Sequence, residues 1–178
     1  MLAYKRRKDP QAINRLEMLA NWVSWHKSCL QTTCFQPDLC AIVPSSRGNP
    51  PNTELQKIAQ LLSGAPLVDI QYAGKTPNQR SLQPEAYKLA QPVRNQRVVV
   101  VDDSWVTGAS AVSVAQALLN AGALNVAIIV FARVLDRNWS ANQNLIAKFD
   151  QLEGQYRYDL GICPYTRQSC AVCKSLGL

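Results

Sequence analysis

The sequence predicts an α/β domain: a mainly parallel, twisted sheet flanked by helices, with a cysteine-bearing C-terminal tail. Three observations carry this expectation. Short apolar runs rich in β-branched residues recur at Leu39–Val43, Leu67–Ile70, Val98–Val101 and Val126–Ala132. Helical apolar spacing fills most of the intervals between them. The resulting strand–helix–strand alternation calls for parallel strands joined by crossovers, with ligands at the strand carboxyl ends.

Taken in order, the first element is a helix from about Pro10 to Cys29. Ile13, Leu16, Leu19, Ala20 and Val23 recur at three- and four-residue steps and make one apolar face, which Trp22, Trp25 and His26 extend. The aromatic residues read as packing against the sheet. His26, the only histidine, reads as a structural or surface residue. Leu39–Val43 is a short buried strand, and Pro44–Pro51 is a turn-rich loop. Asn52 or Thr53 caps a helix through about Leu62, ended by Ser63-Gly64.

Leu67–Ile70 forms a second strand. A polar segment without apolar periodicity then runs from Tyr72 to about Glu85, and loops of this kind are commonly functional or disordered. A short helix near Glu85–Ala90 closes it. The Val98 strand leads into a helix from Ala109 to about Asn120, packed through Val112, Val114, Ala115, Leu118 and Leu119, with Gly122 as its C-terminal cap. Val126–Ala132 is another buried strand. Beyond Arg133, Trp139–Phe149 reads as helix, Tyr156–Ile162 as strand, and the cysteine tail as a short helix.

The chain of 178 residues suits one domain spanning 1–178: an N-terminal helix in 1–38, a core in 39–133, and a hood or extension in 134–178. Its apolar content of 47% is enough for a sizeable core. No apolar run approaches the ~18 residues of a membrane span. Lys5-Arg6-Arg7-Lys8 is not followed by the apolar stretch of a secretory signal, so a cytoplasmic protein without membrane partners is expected. The net charge of +7 comes from nineteen Lys and Arg against twelve acids. It fits basic residues around a polyanionic small molecule. Nucleic-acid contact is the competing reading, but Lys5–Lys8 is the only dense basic cluster. A homo-oligomer is the expected state.

Val98–Ser110 carries the chemistry. It reads Val-Val-Val-Val-Asp-Asp-Ser-Trp-Val-Thr-Gly-Ala-Ser: a buried strand, an acidic strand end, and a hydroxyl- and glycine-bearing loop opening a helix. Such a loop offers backbone N–H groups and a positive helix end to an anion. Asp102 and Asp103 offer acceptors to sugar hydroxyls. Successive strand residues face opposite ways, yet a turning strand end lets both acids approach one ligand. A phosphorylated sugar needs both sets of partners. An ATPase phosphate loop is excluded: Gly74-Lys75-Thr76 supplies only half of G-x4-G-K-[ST], with Asp69 where the first glycine belongs.

Val98–Ser110 resembles the phosphoribosyl pyrophosphate signature of type I phosphoribosyltransferases: a hydrophobic run, two acids, a short spacer and T-G-x-[ST]. Two further segments resemble the ComF-like group. They are Ile42-Val43-Pro44 leading into Ser45-Ser46-Arg47-Gly48, and Lys75-Thr76-Pro77-Asn78-Gln79-Arg80-Ser81-Leu82, which is similar to K-x-x-x-Q-x-x-L. The resemblance spans about Leu39 to Arg133. It implies the type I phosphoribosyltransferase fold, phosphoribosyl pyrophosphate as donor, magnesium as cofactor, and phosphoribosyl transfer to an unidentified acceptor. Asp102 and Asp103 would hold the ribose and the magnesium shell. Thr107, Gly108, Ala109 and Ser110 would cradle the 5′-phosphate. Ser45, Ser46, Arg47 and Gly48 would meet the pyrophosphate, and Lys75 or Arg80, on a loop, would cover the site. Trp105-Val106 departs from the small residue and extra threonine usual in that spacer. A non-catalytic member sensing the donor or a nucleotide, or a ComF-like accessory of DNA uptake, is the alternative.

Six cysteines remain: Cys29, Cys34, Cys40, Cys163, Cys170 and Cys173. The C-terminal three are spaced C-x6-C-x2-C. They can join Cys40, or one of Cys29, Cys34 and His26, around structural zinc or a 4Fe-4S cluster, stapling the tail to the first helix region. Buried cysteines without metal are the alternative. Some amidophosphoribosyltransferases, which share the fold, carry such a cluster through a C-terminal C-x2-C. The paired N-terminal C-x2-C of ComF-like zinc sites is absent here.

Overall fold

A computed structural model describes residues 10–45, 53–74, 81–151, 162–163 and 166. Four strands make one parallel sheet: β1 (Leu39–Ile42), β2 (Leu67–Val68), β5 (Arg97–Trp105) and β6 (Asn125–Arg133), in the order β2-β1-β5-β6. Two further strands, β3 (Ile70–Tyr72) and β4 (Tyr87–Leu89), form a separate antiparallel ribbon. Among the described residues the α-helices are α1 (Pro10–Trp25), α2 (Lys27–Thr33), α3 (Thr53–Ser63), α4 (Ala109–Asn120) and α5 (Gln143–Gln151). The α/β architecture with a helix-flanked parallel sheet is therefore as the sequence predicts.

The central strand β5 explains the two-sided core. Val98, Val99, Val100 and Val101 are all buried because helices cover both faces. Val99 and Val101 join Leu16, Ala20 and Val23 of α1 and Leu55, Ile58, Ala59 and Leu62 of α3. Val98 and Val100 join Val114, Ala117 and Leu118 of α4, together with Tyr87 from the ribbon. Burying each valine contributes roughly 1.5–3 kcal/mol before the entropy of ordering is set against it. At the amino end of the sheet, Asp38 binds Arg97 bidentately, accepting from Nη2 at 2.7 Å and Nε at 3.0 Å. Its carboxylate also accepts from the Arg97 backbone N–H at 2.9 Å. After α4 the chain turns at Gly122, whose φ of 91° is left-handed, and the Ala123 N–H reaches back to the Leu118 carbonyl at 3.0 Å.

Three expectations need correction. The first helix does not run unbroken to Cys29: it stops at Trp25, His26 sits in a turn, and α2 follows. The Leu67–Ile70 run divides at exposed Asp69, giving β2 to the parallel sheet and β3 to the ribbon. The helix expected near Glu85–Ala90 is a single 3-10 turn, Pro84–Ala86, followed by β4. There the Tyr87 and Leu89 side chains alternate with exposed Lys88 and pack Tyr87 on the core, which a strand allows. The Trp139–Phe149 stretch is a 3-10 turn, Ser140–Asn142, and then α5. The expected strand at Tyr156–Ile162 and the cysteine tail lie almost wholly outside the described residues.

Candidate functional site at the carboxyl end of β5

Parallel strands bring their carboxyl ends to one edge, and two loops leave that edge side by side. β1 pairs with β5 through Ile42 and Val101, and the Val43 N–H continues the ladder to the Val101 carbonyl at 3.2 Å. Exposed Ser45 therefore leaves the sheet beside Asp102. Ser46, Arg47 and Gly48, the rest of the expected pyrophosphate loop, lie outside the described residues.

The second loop runs from β5 into α4. Gly108 caps α4 in the left-handed conformation, φ 82° and ψ −6°, and its carbonyl accepts the Val112 N–H at 2.9 Å. The Thr107 hydroxyl accepts the Ala109 N–H at 3.3 Å, closing a tight turn over the helix start. A Cβ at residue 108 would collide with the indole of Trp105, so glycine is required twice, by conformation and by space. Trp105, the residue that departs from the usual spacer, thus packs against the turn.

The two acids separate. β5 remains paired with β6 through Ser104 and Trp105, so side-chain alternation persists through Asp102-Asp103. Asp102, in step with Val98 and Val100, lies on the α4 side. Asp103, in step with Val99 and Val101, lies on the side of α1 and α3, where neighbouring Phe131 also packs. It is 2% exposed, and the Ser104 hydroxyl donates to its Oδ1 at 3.1 Å. The Asp103 N–H in turn donates to Asp102 Oδ1 at 2.9 Å. The expected turn at the strand end, which would aim both carboxylates at one ligand, begins only after Trp105.

On the α4 side, Asp102 has neighbours that the sequence reading missed. Tyr87 reaches Ser110 by a side-chain hydrogen bond and feels the charge of Asp102. Burial pushes its phenol above the ordinary range; the Ser110 bond acts against this, and Tyr72 and Asp102 add to it. Tyr72 faces Tyr87 edge-on, ring centroids 5.3 Å apart. The signal was present as alternation in Tyr87-Lys88-Leu89, in a stretch read as helix. Ser110, Asp102 and Tyr87 thus converge beside the opening of α4.

The β3–β4 ribbon also fixes where the polar segment starts and ends. Tyr72 pairs with Tyr87, and the Ala73 N–H donates to the Ala86 carbonyl at 2.7 Å. The Gln83 N–H donates to the buried Ser113 hydroxyl at 2.9 Å, tying the returning limb to α4. Lys75 and Arg80, the expected covering residues, lie outside the described residues between these anchors.

Magnesium prefers hard oxygen donors and keeps several sites for water and substrate oxygens. Half-buried Asp102 at the strand end fits such a donor, whereas Asp103 is enclosed.

The cysteine candidates do not all meet. Cys40 is fully buried between α3 and the sheet, where its thiol donates to the Ala59 carbonyl at 3.7 Å. Burial pushes that thiol up to about 11, with a hydrogen bond to Ser63 acting the other way. It is a core residue and not part of the group formed by His26, Cys29 and Cys163, whose ligand atoms lie within 4.8 Å of one another. Cys34 is exposed. Cys170 and Cys173 lie outside the described residues. Among the described residues, no helix is long and apolar enough to cross a membrane.

No protein-family model matches the chain. No curated protein matches it either. Among solved structures, it is similar to a purine phosphoribosyltransferase from Pyrococcus horikoshii, with 18% identity over 66% of this chain and 72% of the other, at a TM-score of 0.42. It is similar to a hypoxanthine phosphoribosyltransferase from Staphylococcus aureus, with 13% identity, 66% and 73% coverage, and a TM-score of 0.44. An adenine phosphoribosyltransferase from Saccharomyces cerevisiae shares 18% identity over 71% of each chain, at a TM-score of 0.45.

Proposed function

We propose that the chain is a phosphoribosyltransferase that binds phosphoribosyl pyrophosphate and passes its phosphoribosyl group to an acceptor. The observation that carries this is the left-handed Gly108 turn that opens α4 directly after the strand bearing Asp102. The turn at Gly108 and the first turn of α4 suit the 5′-phosphate, which would gain backbone N–H groups, hydroxyls and the helix dipole. Asp102 then lies where the ribose hydroxyls of that ligand would fall. Ser45 ends the described part of the chain after β1, and Arg47 follows it in the sequence.

Transfer breaks the bond between the anomeric carbon and pyrophosphate. The electron pair leaves with pyrophosphate, and a nucleophilic atom of the acceptor bonds to the carbon. Positive charge develops on the ribose and negative charge on the leaving group. Asp102 would favour the former through the ribose, and Arg47 with Lys75 or Arg80 the latter. Magnesium, held by Asp102 and substrate oxygens, would supply further neutralisation of the pyrophosphate. Closure of the segment between Gly74 and Ser81 would exclude water. No protein nucleophile takes part in this scheme.

A second reading is favoured by the enclosure of Asp103. With one carboxylate turned toward the core, the site suits donor binding without turnover, as in a sensor of the donor or a nucleotide. The ComF-like likeness and the basic N-terminus extend this to a DNA-uptake accessory. Incubating the protein with phosphoribosyl pyrophosphate, magnesium and a panel of nucleobases and amines separates these. Pyrophosphate release that depends on one acceptor supports the enzyme. Donor binding without release across the panel supports the sensor. DNA binding that survives Asp102→Asn supports the accessory.

A further inference from the structure

We infer that His26, Cys29 and Cys163 are three ligands of a single tetrahedral zinc-type ion that joins the α1–α2 corner to the C-terminal segment. The three side chains are 1%, 6% and 0% exposed, and all of their ligand atoms lie within 4.8 Å of one another. They come from opposite ends of the chain. None of the three residues is among those assigned to the β5 edge, so the inference does not rest on the reading given there.

The local fold explains the convergence. α1 ends at Trp25, and His26 occupies a turn in which its N–H bonds to the Val23 carbonyl at 3.1 Å. The Cys29 N–H then bonds to the His26 carbonyl at 2.8 Å. That single turn places the imidazole and the thiol, three residues apart, on one side of the corner. Trp22 meets the His26 ring edge-on at a centroid distance of 6.3 Å, which limits how the imidazole can rotate. Cys163 arrives from the far end of the sequence and closes the third corner.

The donor set selects the ion. Two sulfurs and one imidazole nitrogen, with no carboxylate, are donors that suit zinc, and a water molecule or a fourth side chain would complete the tetrahedron. Tetrahedral bonds of about 2.0–2.3 Å put donors on one ion about 3.4–3.8 Å apart, so a separation limit of 4.8 Å needs only a small side-chain adjustment. An iron–sulfur cluster distributes its thiolates over several irons and holds them further apart. Cys29 and Cys163 are thiols, as metal binding requires.

Elemental analysis of the whole chain, purified under reducing conditions without added metal, tests this. About one zinc per chain is expected, with Cys34→Ser retaining it and Cys29→Ser and Cys163→Ser each losing most of it. Should those variants fail to fold, cobalt exchange into the unaltered protein gives an independent readout. Thiolate-to-cobalt charge transfer and the intense visible bands of tetrahedral cobalt are expected. Zinc-free protein that gives no such spectrum on reduction and cobalt addition would overturn the inference. So would the broad brown absorbance of an iron–sulfur cluster, or full zinc retention in folded Cys29→Ser.

Discussion

The Trp105 indole fills the space that a side chain at Gly108 would need. The two residues bracket the turn between β5 and α4, so the shape of the proposed phosphate cradle depends on a strand-end aromatic. Gly108→Ala adds a left-handed strain of about 1–2 kcal/mol to the collision with the indole. The melting temperature should fall by several degrees. Trp105→Ala in the same chain should recover only part of the loss, because the φ of 82° remains. An unchanged melting temperature in Gly108→Ala would refute this account of the turn.

Ser113 links the ribbon to α4. Ser113→Ala leaves the part-buried Gln83 N–H without its acceptor, which costs about 1–3 kcal/mol. The returning limb should exchange amide hydrogens faster, and hydrogen exchange over 81–86 measures this. Unaltered protection there would show that the bond does not anchor the limb.

The Asp38–Arg97 pair predicts an acid-dependent stability. Hydrogen bonds from the Arg97 side chain and backbone lower the Asp38 carboxyl to about 2, against an ordinary 3.8. A folded-state value below the unfolded one means the contribution is complete above pH 3.8 and fades as pH falls through about 2. Because both side chains are about a third exposed, solvent screening keeps the effect small. Asp38→Asn should lower the melting temperature near neutral pH, with a gap that narrows below pH 3.8. A gap that stays constant with pH would place its origin elsewhere.

Asp102 and Asp103 should differ in what they control. Asp102→Asn should weaken donor binding tenfold or more, about 1.4 kcal/mol, with little change in stability. Asp103→Asn disturbs an enclosed carboxylate and its Ser104 bond, so it should lower stability first. Titration and thermal melts of both variants test this. Equal losses of affinity would mean that both carboxylates share the ligand after all.

Periodicity made most of the scaffold legible. Three of the four apolar runs and the helices at 53–63 and 109–120 lie where local patterning puts them, because each has a face or two to bury. The short ribbon was hidden: Ile70–Tyr72 and Tyr87–Leu89 are three-residue strands whose pairing is long-range. Tyr87 was therefore missed beside Ser110. The strand extension to Trp105 was also hidden, since its pairing with Arg133 of β6 is set by tertiary register. That extension separates the two acids. His26 and Cys29 were each visible as donors, but only the break after Trp25 shows them as a pair.

One side of the β5 edge is proposed to accept a phosphorylated sugar diphosphate. Calorimetric titration of phosphoribosyl pyrophosphate with magnesium into the unaltered chain, Asp102→Asn and Thr107→Val measures it directly. Saturable one-to-one binding that weakens at least tenfold in both variants is the predicted result. No binding to the unaltered chain, or equal affinity in all three, would contradict it.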